Sequence, residues 1–174
     1  MNTPNPPAVA GLHHLKLPVS NLNGSLDFYQ RVFGAQHLPQ FDHFDDNGAR
    51  YAVIIAIPGL PTPLELRWAP GGAAAMRGCD PINLAAESAE ALQAWARHLD
   101  SLDVEHSSVI QGGPGHLLVL ADPDGIYIRI SEVPAGGVEN IKMPQGNPEP
   151  DDPWLDPPPM QHPQNDKFSK RRFR

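Results

Sequence analysis

The stretch GLHHLKLPVSNLNGSLDFYQRVFG, Gly11 to Gly34, decides how the rest of the chain is read. From His13 to Val19 apolar and polar residues alternate. Leu15, Leu17 and Val19 fall on one face, and His14 and Lys16 on the other, as in a half-covered strand. Ser20-Asn21 break the pattern. Leu22, Leu26, Tyr29 and Phe33 then recur at helical spacing, and Gly34 follows as a stop. A strand with an apolar back and a histidine and a lysine in front is a floor that can carry chemistry.

Downstream, Asp45-Asp46-Asn47-Gly48 is a turn signal, and Arg50–Ile57 is β-branched and strand-like. After the turn Pro58–Pro61, the run Pro63–Trp68 puts Leu64, Leu66 and Trp68 on one face and Glu65 and Arg67 on the other. Ala69–Gly78 is rich in small residues and reads as a linker. The plan then repeats. Ile82–Ala86 is a short strand, and Ser88 is a good N-cap. The helix that follows, to about Leu102, carries Leu92, Trp95, Leu99 and Leu102 on one face. Strands are expected over Val104–Ile110, His116–Ala121 and Ile126–Ser131, the last two joined by the tight turn Asp122-Pro123-Asp124-Gly125. Tyr127 and Arg129 face away from Ile126, Ile128 and Ile130. Both halves therefore read strand, helix, then about three strands, and two such modules leave their sheet fronts to form a shared cup.

Composition narrows the function classes. The 174 residues have 20 acidic against 13 basic side chains, a formal net charge of -7. That balance argues against nucleic-acid and anionic-membrane partners. The lone Cys79 excludes an intrachain disulfide and a cysteine metal cluster, so a reducing cytoplasm is the expected compartment. No apolar run approaches the roughly 20 residues that span a bilayer, and the start lacks the features of a secretory signal. From Pro134 onward, 21 prolines overall being the compositional outlier, the chain has little periodicity and reads as an irregular tail. Trp154, Leu155, Met160 and Phe168 are candidate anchors within it, Pro157–Pro159 a polyproline-like stretch, and Lys167–Arg174 a basic end.

The order and spacing of these motifs resemble the vicinal oxygen chelate superfamily of glyoxalases, bleomycin-resistance proteins and extradiol dioxygenases. The matching residues are His14–Leu22, Ser25–Tyr29 with Phe33-Gly34, Leu64-Glu65-Leu66, and Asp122–Gly125 with Ile126–Ile130. The resemblance covers residues 11–133 and implies an α+β fold. Two tandem βαβββ modules (11–70 and 80–133, linker 71–79) form a cupped, incomplete β-barrel with helices outside. A lead-in (1–10) and a Pro-rich C-terminal tail (134–174) flank them. It also implies a homodimer, with the cup closed within one chain or exchanged between two.

In metal-using members, the resemblance implies, each module supplies one ligand from its first strand and one from its last. His14 and Glu65 match the pair of the first module. In the second, Pro81 stands at the usual histidine and Arg129 at the usual carboxylate. Proline has no ligating side chain, and a guanidinium stays charged. A histidine and a glutamate are too few for a firmly held divalent ion, which leaves His13, His106 and His116 as sources of a displaced ligand. The expectation is no cofactor, the alternative being Fe, Mn, Zn or Ni at His14 and Glu65. Arg129 is expected to pair with Glu65.

Three functional readings follow. The first is a metal-independent small-molecule binder whose cup, with Lys16, Arg67, Asn83, Tyr127 and Arg129, takes an anionic or oxygen-rich ligand. The second is a lyase, isomerase or dioxygenase with Glu65 and His14 as catalytic groups. The third is an interaction protein working through its tail. His98 and His106 read as solvated, and Trp68 and Trp95 as core residues.

Overall fold

The computed structural model describes residues 6–134, 136–142 and 152–155. The chain divides into two compact units, Met1–Ala75 and Met76–Arg174. Each is built on its own mixed sheet. The expected stretches Pro157–Pro159, Met160, Phe168 and Lys167–Arg174 lie outside the described residues.

In the first unit, β1 (Leu15–Val19) runs parallel to β5 (Leu64–Trp68), with Lys16 opposite Glu65. β5 pairs antiparallel with β4 (Arg50–Ala56), and β4 in turn carries the two short strands β2 (Gln36–His37) and β3 (His43–Phe44). The helix α1 (Leu22–Phe33) packs against β4 and β5. Asn21 Oδ1 caps it by accepting from the Gly24 amide at 3.1 Å, and Gly34 ends it at φ 63°. The buried stripe of α1 is Ser25, Phe28, Tyr29, Val32 and Phe33. That is one step round from the expected Leu22–Leu26–Tyr29–Phe33 line, and Leu22 and Leu26 are half-buried. The aromatic rings decide the rotation: Tyr29 and Phe33 stack at 5.7 Å, with Phe28 edge-on to both. Leu17, Val19, Val53, Ile55, Leu64 and Leu66 complete this core.

The stretch read as a linker contains a helix, α2 (Pro70–Met76). Its three consecutive alanines favour helix, Pro70 suits a first turn, and Ala73 is fully buried. A side chain at Gly72 would meet Pro18 Cβ at 3.1 Å, so the missing Cβ allows the helix to lie against β1.

In the second unit, β6 (Ile82–Ala86) runs parallel to β9 (Tyr127–Glu132). β8 (His116–Ala121) joins β9 antiparallel, and β7 (Ile110–Gln111) closes the edge. Ser88 caps α3 (Ala89–Ser101), which packs on β6, β8 and β9 through the buried Leu92 and Leu99. In the β8–β9 turn, Asp122 Oδ1 accepts from the Asp124 and Ile126 amides, both at 2.9 Å. The expected strand Val104–Ile110 is cut down to one bridge, His106 with Leu120, before β7 begins. The buried Ser107 hydroxyl takes over the ladder there, accepting from the Val119 amide at 2.9 Å.

Candidate functional site

Glu65 is the centre of the first unit's sheet front. Strand alternation turns it away from Leu64 and Leu66, and the parallel register sets it beside Lys16. It is fully buried. Arg67 Nη1 donates to Glu65 Oε1 at 2.9 Å. Lys16 Nζ lies 3.2 Å from Oε2, and His14 Nε2 lies 3.3 Å from the same oxygen. Burial is the largest single influence on this carboxyl and pushes its pKa up. The Arg67 hydrogen bond, the Lys16 ammonium and His43 together outweigh it, so Glu65 titrates below the ordinary glutamate value. It is an ionised, ion-paired carboxylate. The same pairing raises the pKa of Arg67, whose guanidinium also lies 4.7 Å above the Tyr51 ring.

His14 joins Glu65 to a second histidine. Its Nδ1 is 2.7 Å from His13 Nδ1, within hydrogen-bond distance. His13, His14, His43 and Glu65, with Leu38, Phe41, Ile54 and Pro63, line a pocket of about 370 Å³. Leu38, Phe41 and His43 come from the segment between α1 and β4. The organiser of that loop is Asp42, whose side chain is 2% exposed. It is within 2.9 Å of His37 Nε2, accepts from Arg50 Nη1 at 3.1 Å and from the Ile54 amide at 3.3 Å. Asp42 and His43 were missed by sequence reasoning. An aspartate five residues after a histidine and eight before an arginine was the available signal.

The other expected ligand contacts lie in the second unit. Arg129 pairs with Asp80, not with Glu65 as expected, and its Nη2 donates to the Leu155 carbonyl at 2.7 Å. Each of the two groups finds its partners within its own unit. Asn83 Oδ1 accepts from the Ser131 hydroxyl at 2.8 Å, and Tyr127 packs against Trp154. His116 is bound to Glu132, Nδ1 to Oε2 at 2.8 Å. His106 is not a solvated loop residue: its Nδ1 is 2.6 Å from the Ser107 carbonyl oxygen and its Nε2 is 3.2 Å from Asp100 Oδ1. Trp68, the last residue of β5, is 57% exposed rather than buried. Trp95 is half-buried against His98.

The family model for the glyoxalase/bleomycin resistance protein/dioxygenase superfamily matches residues 11–130. The chain belongs to that superfamily. Solved structures agree on the fold. The antibiotic binding protein TnmS3 from Streptomyces sp. CB03234 is 24% identical, with a TM-score of 0.58, covering 72% of this chain and 97% of that one. The fosfomycin resistance protein FosX from Listeria monocytogenes, solved with Mn(II) and sulfate, is 19% identical, with a TM-score of 0.57 and coverage of 76% and 97%. Lactoylglutathione lyase from Agrobacterium tumefaciens is 17% identical, with a TM-score of 0.52 and coverage of 74% and 96%. No curated protein sequence matches the chain significantly. Among the described residues no helix is long and apolar enough to cross a membrane.

The superfamily includes metal-bound members, so the donor set here bears testing. His14 Nε2 and Glu65 Oε2 are buried, face each other and lack a hydrogen bond of good geometry. Among the described residues no three His, Cys, Asp or Glu side chains are grouped to hold a metal ion. The glutamate is already neutralised by two cations. These residues do not by themselves fit a firmly held divalent ion.

Proposed function

We propose that this superfamily member is a metal-independent small-molecule binding protein whose pocket around His14 and Glu65 takes an anionic or oxygen-rich ligand. The state of Glu65 carries this reading. A buried, ionised carboxylate held by Arg67 on one oxygen and Lys16 on the other is poorly suited to abstract a proton. It is well suited to fix two cations. Lys16 and Arg67 stand behind Glu65, outside the lining of a pocket whose apolar walls are Leu38, Phe41, Ile54 and Pro63, and one carboxylate against these two cations leaves a net positive charge next to it. A ligand with a carboxylate, phosphonate or enolate oxygen balances that charge, and the His13, His14 and His43 imidazoles offer polar contacts that orient it. In this proposal the protein acts in the cytoplasm, the compartment its lone Cys79 suits, and as a homodimer, as the family resemblance implies.

The test is a thermal-shift and calorimetric screen over anionic metabolites and antibiotics, with and without a chelator. A ligand that binds equally well in both conditions is expected. Lys16→Ala should weaken it about tenfold, the loss of one charge-assisted contact. Binding that needs a divalent ion would overturn the reading.

A second reading is favoured by the facing pair His14 Nε2 and Glu65 Oε2, both buried and without a well-formed hydrogen bond. In it the protein is a lyase, isomerase or dioxygenase, and a divalent ion polarises the substrate oxygens. Glu65→Gln should then abolish turnover, and turnover that survives the substitution would reject it.

A further inference from the structure

β8 is buried on both faces. Leu117, Leu118, Val119 and Leu120 are all at most 4% exposed. Alternation sends Leu118 and Leu120 to one side of the sheet and Leu117 and Val119 to the other. On the Leu117 and Val119 side the cover is the chain's own tail. Leu155, 3% exposed, forms one cluster with Ile110, Leu117 and Val119, and Tyr127 and Trp154 pack against it. The Trp154 and Tyr127 rings lie 5.2 Å apart. The Leu155 carbonyl takes the Arg129 hydrogen bond. Asp152 closes the segment into a turn: its Oδ1 accepts from the Trp154 amide and its carbonyl from the Leu155 amide, both at 2.9 Å.

We propose that Asp152–Leu155 is a displaceable strap that mimics a ligand. Its release opens, on the front of the second sheet, a site for a molecule carrying an aromatic or branched apolar group beside a carboxylate. The strap presents an indole, an isobutyl group and one oxygen aimed at Arg129. Arg129 keeps Asp80 on its Nε side, and a ligand carboxylate offers its Nη2 edge a charged acceptor in place of the neutral Leu155 carbonyl, so it is the stronger partner there. The strap is held by one fully buried side chain, one half-buried ring and one bond to a guanidinium. These gains are comparable with the cost of ordering four residues, which makes exchange with a ligand feasible. The inference concerns the second unit and stands apart from the pocket around Glu65.

The test uses the full chain with Trp154→Ala and Leu155→Ala together, and anilinonaphthalene sulfonate, an aromatic anion, as the probe. A strap docked for about nine-tenths of the time or more lowers apparent affinity at its site about tenfold or more. The double variant should therefore bind the dye about tenfold tighter than the native chain. A synthetic Asp-Pro-Trp-Leu peptide should displace the dye, and Arg129→Gln in the same background should reverse the gain. Displacement by that peptide distinguishes this face from the first unit's pocket. A folded double variant that binds the dye no tighter than the native protein overturns the proposal. Where the double variant fails to fold, hydrogen exchange on the native chain decides. Excess dye should accelerate exchange at the Trp154 and Leu155 amides, and unchanged exchange there overturns the strap.

Discussion

Arg67 and Glu65, two residues apart on β5, are joined by a 2.9 Å hydrogen bond that holds a fully buried carboxylate in its charged form. Their spacing puts both on the same face of the strand, and the parallel register with β1 adds Lys16 from the side. The pair fixes the electrostatics of the pocket.

The depressed pKa of Glu65 makes stability depend on pH in a definite direction. In the unfolded chain the carboxyl returns to its ordinary value of 4.5. The unfolded state therefore binds the proton more readily, and the contribution is fully present above pH 4.5 and lost as pH falls through the lower folded-state pKa. Glu65→Gln removes this dependence and costs about 1–2 kcal/mol at neutral pH, the value of a charged hydrogen bond partly screened by solvent. Urea denaturation of both proteins at neutral pH and below pH 4.5 checks it. The gap between them should narrow on acidification.

Asp42 holds the loop that walls the pocket. Asp42→Ala leaves the His37 side chain, the Arg50 guanidinium and the Ile54 amide without their shared acceptor. A loss of about 2–3 kcal/mol is expected from the broken buried network. Hydrogen exchange should rise first across residues 36–44, ahead of β5, and pocket binding should weaken with it.

How much of this was legible beforehand varied with the kind of residue. Strands β1, β4, β5, β8 and β9 were readable because each alternates or carries a long apolar run. Both long helices were readable from their apolar spacing, the break at Ser20-Asn21, the Ser88 cap and the Gly34 stop. Residues 36–47 were opaque: β2 and β3 are two-residue strands whose position depends on one aspartate reaching a distant arginine and amide. Within the site, strand alternation and the parallel β1–β5 register bring Lys16, Glu65 and Arg67 together, with His14 just ahead of β1. The partner of Arg129 did not, because Asp80 lies in the irregular stretch just before β6, with no periodicity to mark it. The continuous run Leu117–Leu120 held a usable signal, since a strand apolar at every position needs cover on both faces. Trp154 and Leu155 supply that cover from 34 and 35 positions beyond Leu120.

Gly34 offers a clean check of helix α1. It sits at φ 63° and a side chain there would meet nothing within 4 Å. Gly34→Ala therefore costs only backbone strain, about 1 kcal/mol. Thermal unfolding should show a modest decrease in Tm with ligand affinity unchanged.

Metal analysis combined with native mass spectrometry, on protein purified without chelators, bears most directly on whether the Glu65 pocket works without a divalent ion. Less than about a tenth of an equivalent of any transition metal is expected, with ligand binding unaffected by chelator. A stoichiometric metal that disappears in His14→Ala or Glu65→Ala would contradict it.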